Sequence, residues 1–233
     1  IVGLSMGGFT ALHLGLEFPH RARSLVVGGC GYGAEKEHAQ YFKGVSLEVA
    51  QQFESLGSET FARTYAGGAA RVQFQNKDPR GWEELVEWLS QHSSTVAANT
   101  MRGVQAERPS LYDLESRLRN LDTPTLVING DEDDHCLQPG LFLKRTIPAC
   151  GLLVLPKTGH TINLEEPNAF NGVVQEIFLP PLSRGSGIGA VHVTWWRHRS
   201  CTRKRVRVQR QRWAYARANP SPIGTGVPTA VVN

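Results

Sequence analysis

Apolar positions along this chain fall into two textures. Short runs with almost no polar interruption stand at 1–4 (IVGL), 24–29 (SLVVGG), 125–129 (TLVIN) and 151–155 (GLLVL). Their length and continuity predict strands buried on both faces, the pattern of a parallel sheet. Between the runs, apolar residues recur at helical spacing. Phe9, Leu12 and Leu16 make one stripe that begins at Met6 and is stopped by Pro19. Trp82, Leu85 and Leu89 make another, behind Asp78 as N-cap and Pro79 at the first helical position. Leu111, Leu114 and Leu118 follow Ser110 and Asp113, which have capping-box-like spacing. PGLFLKRTIP predicts a short helix, and Phe170, Val173, Val174, Ile177 and Phe178 form the inward face of a closing one that starts at Pro167. Strands alternating with helices predict an α/β chain with four parallel strands. Residues 34–122 carry helical patterns and no convincing strand.

The first junction between textures raises a chemical question. In GLSMGG the strand ends and the helix begins with Ser5 alone between them. So tight a turn leaves no room for side chains two residues either side, and Gly3 and Gly7 remove them. This G-x-S-x-G arrangement holds a hydroxyl exposed on strained backbone at a helix N-terminus. There the Met6 N–H points toward charge developing on a reacting carbonyl. The plainer alternative is a glycine-rich turn whose serine caps the helix. A nucleophilic serine needs a base, and the base an orienting acid. After the third strand comes the acidic loop GDEDD, and after the fourth comes His160, just before a helix.

GLSMGG, PTLVINGDED and PKTGHTINLEEP, in that order and each at a strand end, resemble the lipase/esterase-like serine hydrolases of the α/β-hydrolase superfamily over about residues 1–179. The resemblance implies a partial α/β-hydrolase fold: a parallel sheet with helices on both faces and a helical cap insertion. It makes Ser5 the nucleophile, His160 the general base, Asp133 the acid and the Met6 N–H an oxyanion donor. Asp134 is the alternative acid, because four consecutive acidic residues leave the register open. Serine at the elbow argues against the haloalkane dehalogenases and epoxide hydrolases, which carry aspartate there. The implied substrate is a small carboxylic ester or lactone, with no cofactor and no metal. Carbon–carbon bond hydrolases and cofactor-free perhydrolases share the triad. The implied organisation is a core at 1–33 with the elbow, a helical cap at 34–122, and a core at 123–179 with the acid and histidine loops.

Members of that superfamily place several strands before the elbow, and an early loop donates a second oxyanion N–H. Here residue 1 is already in the elbow strand, so the first half of the sheet and that donor are expected to be missing. One lost donor raises a barrier by roughly 2.7–4 kcal/mol, which predicts weakened or absent activity for this stretch alone.

Charge divides the chain. The formal net charge is +4, but ten of the 25 Lys and Arg lie beyond residue 179, where there is no Asp or Glu. The body before it is therefore acidic, with 15 cations against 21 acids. Residues 180–233 lack any apolar stripe and predict a disordered basic tail. Its Trp195, Trp196, Trp213 and Tyr215 among the arginines admit a weaker reading, a non-enzymatic protein whose tail binds nucleic acid. Cys30, Cys136, Cys150 and Cys201 show no metal or disulfide spacing and fit free thiols in a cytoplasmic, reducing setting. No run is long enough to span a membrane.

Overall fold

The computed structural model describes residues 1–178. The predictions for the tail, Trp195, Trp196, Trp213 and Tyr215 included, lie outside the described residues.

Four strands, β1 (Val2–Leu4), β2 (Leu25–Gly28), β3 (Thr125–Gly130) and β4 (Cys150–Leu155), form one parallel sheet in the order β1-β2-β3-β4. Val27 pairs with Val127, and Val127 with Leu152. Successive side chains point to opposite faces, so each run feeds two cores. Leu25, Val27 and Val127 join Phe9, Leu12, Leu111, Leu118 and Leu143 on one face. Val26, Leu126 and Ile128 join Leu155, Ile162 and Val173 on the other. At about 1.5–3 kcal/mol per fully buried aliphatic side chain, these two clusters are what hold the sheet between its helices.

Helix α1 (Met6–Glu17) leaves β1 directly at Ser5. Between β2 and β3 run α2 (Lys36–Ala66), broken at Gly57 where φ is 77°, then α3 (Val72–Lys77), α4 (Pro79–Ser90) and α5 (Ser94–Thr100). These four pack largely on one another: Ala62, Ala66, Phe74, Trp82 and Val86 form one cluster, and Ala50, Phe53, Phe61 and Ala98 a second. Asp78 caps α4 by accepting the Gly81 N–H at 2.9 Å, with Pro79 at the first position as the sequence predicts. The Leu111–Leu118 stripe is a 3-10 turn running into the short helix α6 (Glu115–Leu118), and its leucines pack under the sheet rather than with the other four helices.

Helix α7 (Asp134–Thr146) departs from its prediction. It begins five residues before Pro139, which lies inside it, rather than at PGLF. Proline can supply no N–H to its own turn. The Asn129 side chain ties the same turn to β3, its Nδ2 donating to the neighbouring Cys136 carbonyl at 2.6 Å. Beyond β4, α8 (Ile162–Glu165) and α9 (Pro167–Phe178) complete the described chain. Phe170, Val174 and Ile177 of α9 pack onto the same cluster as Val173.

Candidate active site

Ser5 occupies a backbone conformation rare for a residue with a Cβ, φ 54° and ψ −118°. Its N–H donates to the Gly28 carbonyl at 2.8 Å and so belongs to the sheet, while its carbonyl already accepts the N–H groups of Gly8 and Phe9. The strain comes from turning strand into helix within one residue. The glycines share the task differently from the sequence reading. A Cβ on Gly3 would collide with the Gly7 carbonyl, whereas a Cβ on Gly7 would meet nothing. The tight approach is therefore between the Gly3 side and the Gly7 backbone, and the side chain absent at Gly7 relieves no clash. Met6 opens α1, where the first N–H groups have no intrahelical acceptor.

His160 reaches Ser5 from the other end of the sheet. Its Nε2 lies 2.8 Å from Ser5 Oγ, and its Nδ1 lies 2.7 Å from Asp133 Oδ2. Both distances are ordinary hydrogen bonds. His160 is 7% exposed and Asp133 1%. A Cβ on Gly29, which has φ 51°, would stand 3.3 Å from the ring, so glycine there leaves the ring its space. Tyr32 packs edge to face on the ring with centroids 5.0 Å apart, and meets His135 and Phe42 in the same way.

The acidic loop separates into four different surroundings. Only Asp133 is buried and meets the histidine. Asp131 Oδ1 accepts the Thr158 N–H at 3.1 Å, Glu132 Oε2 accepts from Gln73 Nε2 at 2.7 Å, and Asp134 is exposed in the first turn of α7. Geometry thus resolves the register that four consecutive acids leave open, placing Asp133 rather than Asp134 on the ring. Burial pushes the Asp133 carboxyl up. The His160 hydrogen bond and charge, with the Cys136 thiol and Tyr32 hydroxyl beside it, outweigh that and hold it below its usual range. Its second oxygen, Oδ1, is buried without a donor in hydrogen-bond geometry. Burial and the nearby Asp133 carboxylate in turn push up both the Tyr32 hydroxyl and the Cys136 thiol.

Asp133, Cys136 and His160 bring a carboxylate oxygen, a thiol sulfur and a ring nitrogen within 4.8 Å of one another. The carboxylate and the ring are already engaged with each other and with Ser5, the chain of partners that a serine nucleophile requires. Tyr32 and Gly29 escape sequence reading because nothing local marks them. They belong to the glycine-rich loop after β2, which only the fold brings to the ring.

A family model described as "Alpha/beta hydrolase family" matches residues 1–173. The chain belongs to the alpha/beta hydrolase family. It is 30% identical to 3-oxoadipate enol-lactonase 2 of Acinetobacter baylyi, an alignment covering 75% of this chain and 61% of that protein. It is 28% identical to a 2-hydroxy-6-oxo-6-phenylhexa-2,4-dienoate hydrolase of Burkholderia cepacia, covering 73% and 59%. Among solved structures, MenH from S. aureus superposes with a TM-score of 0.69 at 21% identity, covering 76% of this chain and 66% of that one. This likeness is one of fold. The chain spans about three fifths of the length of the curated relatives it matches. Among the described residues, no helix is long and apolar enough to cross a membrane.

Proposed function

We propose that the protein is a serine hydrolase acting on a carboxylic ester or lactone. One observation carries the reading: a serine held at φ 54° lies 2.8 Å from a histidine nitrogen whose other nitrogen lies 2.7 Å from a buried carboxylate. Ser5 Oγ attacks the carbonyl carbon while His160 Nε2 takes its proton. The Met6 N–H, at the positive end of α1, donates to the oxyanion that forms. Collapse of the tetrahedral intermediate expels the alcohol, which takes its proton from His160, and water then cleaves the acyl-serine by the same route. Asp133, buried and acceptor-only, keeps the proton on Nδ1 and stabilises the charged ring. Helices α2 to α5, inserted between β2 and β3, are assigned the role of a cap that shields the reacting carbonyl from water. The enol-lactonase relative supports an ester-type substrate.

The dienoate hydrolase relative favours a second reading with the same triad, cleavage of a carbon–carbon bond beside a ketone, since its named substrate contains no ester. A panel of esters, lactones and β-diketones separates the two. The shared mechanism is tested by a fluorophosphonate probe on the full-length protein. Labelling is expected at Ser5 and is expected to vanish in Ser5→Ala. Labelling that persists in that variant, or none in the parent, overturns the reading.

A further inference from the structure

The loop that carries His160 is held from below by a buried acid that has no part in the reaction as described above. Glu165, 6% exposed at the end of α8, turns its carboxylate back along the chain. Oε2 accepts the Gly159 N–H at 2.6 Å, and Oε1 accepts both the Thr161 N–H at 3.0 Å and the Thr161 hydroxyl at 2.8 Å. The two backbone donors flank His160 in sequence, one on each side. The remaining N–H of the three, that of His160 itself, donates to the Ala70 carbonyl at 2.8 Å, in the turn before α3.

A glutamate reaching back to the N–H of the residue before its own helix resembles half of a capping box, although Glu165 stands one position beyond the usual place and Thr161 caps nothing with its own side chain. The Gly159 bond is different. It lies outside α8, on the far side of the histidine, and serves no helix end. Taking a carboxylate out of water is costly, and three donors repay the cost without making it the most stable choice for the site. What the arrangement does supply is a fixed backbone either side of one side chain.

We propose that Glu165 is a positioning residue that sets the imidazole of His160 between Ser5 and Asp133. The inference rests on the reading of those three residues as the catalytic triad. With Nε2 at 2.8 Å and Nδ1 at 2.7 Å from their partners, the ring has no slack to give away. A shift of about 1 Å at such a site can cost roughly 100-fold in rate. Glu165→Ala removes all three acceptor contacts. Glu165→Gln can keep one oxygen toward Thr161 but turns an amide NH2 against the Gly159 N–H, so it restores the Thr161 side of the clamp and not the other.

The test compares the full-length parent chain with Glu165→Ala, Glu165→Gln and, as a control for lost stability alone, Leu118→Ala, whose side chain is buried on the opposite face of the sheet. Two readouts are taken. One is kcat and KM for p-nitrophenyl acetate. The other is the low-field proton NMR signal of the His160 Nδ1–H shared with Asp133, identified by its absence in Asp133→Asn. Glu165→Ala is expected to lower kcat by roughly 100-fold with KM little changed, and to broaden or lose the low-field signal. Glu165→Gln should fall between it and the parent, and Leu118→Ala should keep both kcat and the signal in its folded fraction. If Glu165→Ala lowers the melting temperature but retains kcat and the signal, the acid is only a helix cap and the proposal fails. If the parent hydrolyses none of the ester, lactone and diketone panel, the hydrolase reading fails by itself. The NMR signal then decides the positioning role: its loss in Glu165→Ala supports the role, and its persistence overturns it.

Discussion

Asp133 is the residue on which sequence and structure had most to settle between them. Four acids in a row are chemically alike, and what distinguishes them is distance to one ring and removal from water. Asp133→Asn places an amide where the carboxylate meets the Nδ1–H and favours the wrong tautomer of His160. Turnover is expected to fall by about 10⁴. Asp131→Asn keeps an oxygen for the Thr158 N–H, and Asp134→Asn changes an exposed helix residue, so each should stay within a few-fold of the parent. Steady-state kinetics on the three variants checks the ranking. Asp133 also leaves a mark on stability. Because its carboxyl is held below the ordinary value of 3.8, it is more readily ionised folded than unfolded. Its contribution is therefore fully present above that value and is lost as the pH falls through the lowered native one. Urea unfolding of parent and Asp133→Asn across that window should show the difference between them shrinking with acid. The strained turn at Ser5 was legible from its neighbours, because turning strand into helix within one residue is a local device. Gly29 and Tyr32 were not, since their meaning depends on a ring more than a hundred residues away.

At the scale of the element, α7 shows how a helix can begin before its own breaker. Proline at position 139 reads as a start, and the acids and His135 ahead of it read as loop. In the fold this segment is the first turn of α7, and Asn129, fully buried near the end of β3, fastens it to the sheet by donating to the Cys136 carbonyl. Asn129→Ala removes the buried bond that ties this turn to β3 and opens a small cavity. It should cost about 1–3 kcal/mol by chemical denaturation. Since the first turn of α7 carries Asp133 at its N-cap, the same variant should also lose turnover, whereas a defect confined to stability would leave kcat unchanged. The strands behaved otherwise. Each apolar run is short, bounded by turn residues and buried on both faces, so its local pattern and its tertiary environment agree.

For the molecule as a whole, one parallel sheet separates two apolar clusters, and β3 contributes to both. Leu126 and Ile128 face α8 and α9, while Val127 faces α1, α6 and α7. Leu126→Ala is expected to destabilise the chain by about 2–5 kcal/mol. The denaturant midpoint should fall with an unchanged slope, because the same surface is exposed on unfolding. A change in slope would mean that the two faces unfold separately. Along β1, at one end of the described strand order, Val2 is 45% exposed.

By itself, the sequence determined the class of fold, the order of strands and helices, the strained serine and the histidine that follows the fourth strand. These are properties of short segments: a run buried on both faces, a stripe at helical period, a turn that only certain residues can make. Only the tertiary structure decided which acid meets His160, which glycine yields to its ring, that the Gly7 position relieves no clash, and that Glu165 holds the backbone on both sides of the histidine. Those are choices among residues that look equivalent in one dimension. They are made by distances across the sheet and by the cost of burying a charge, neither of which has a local signature.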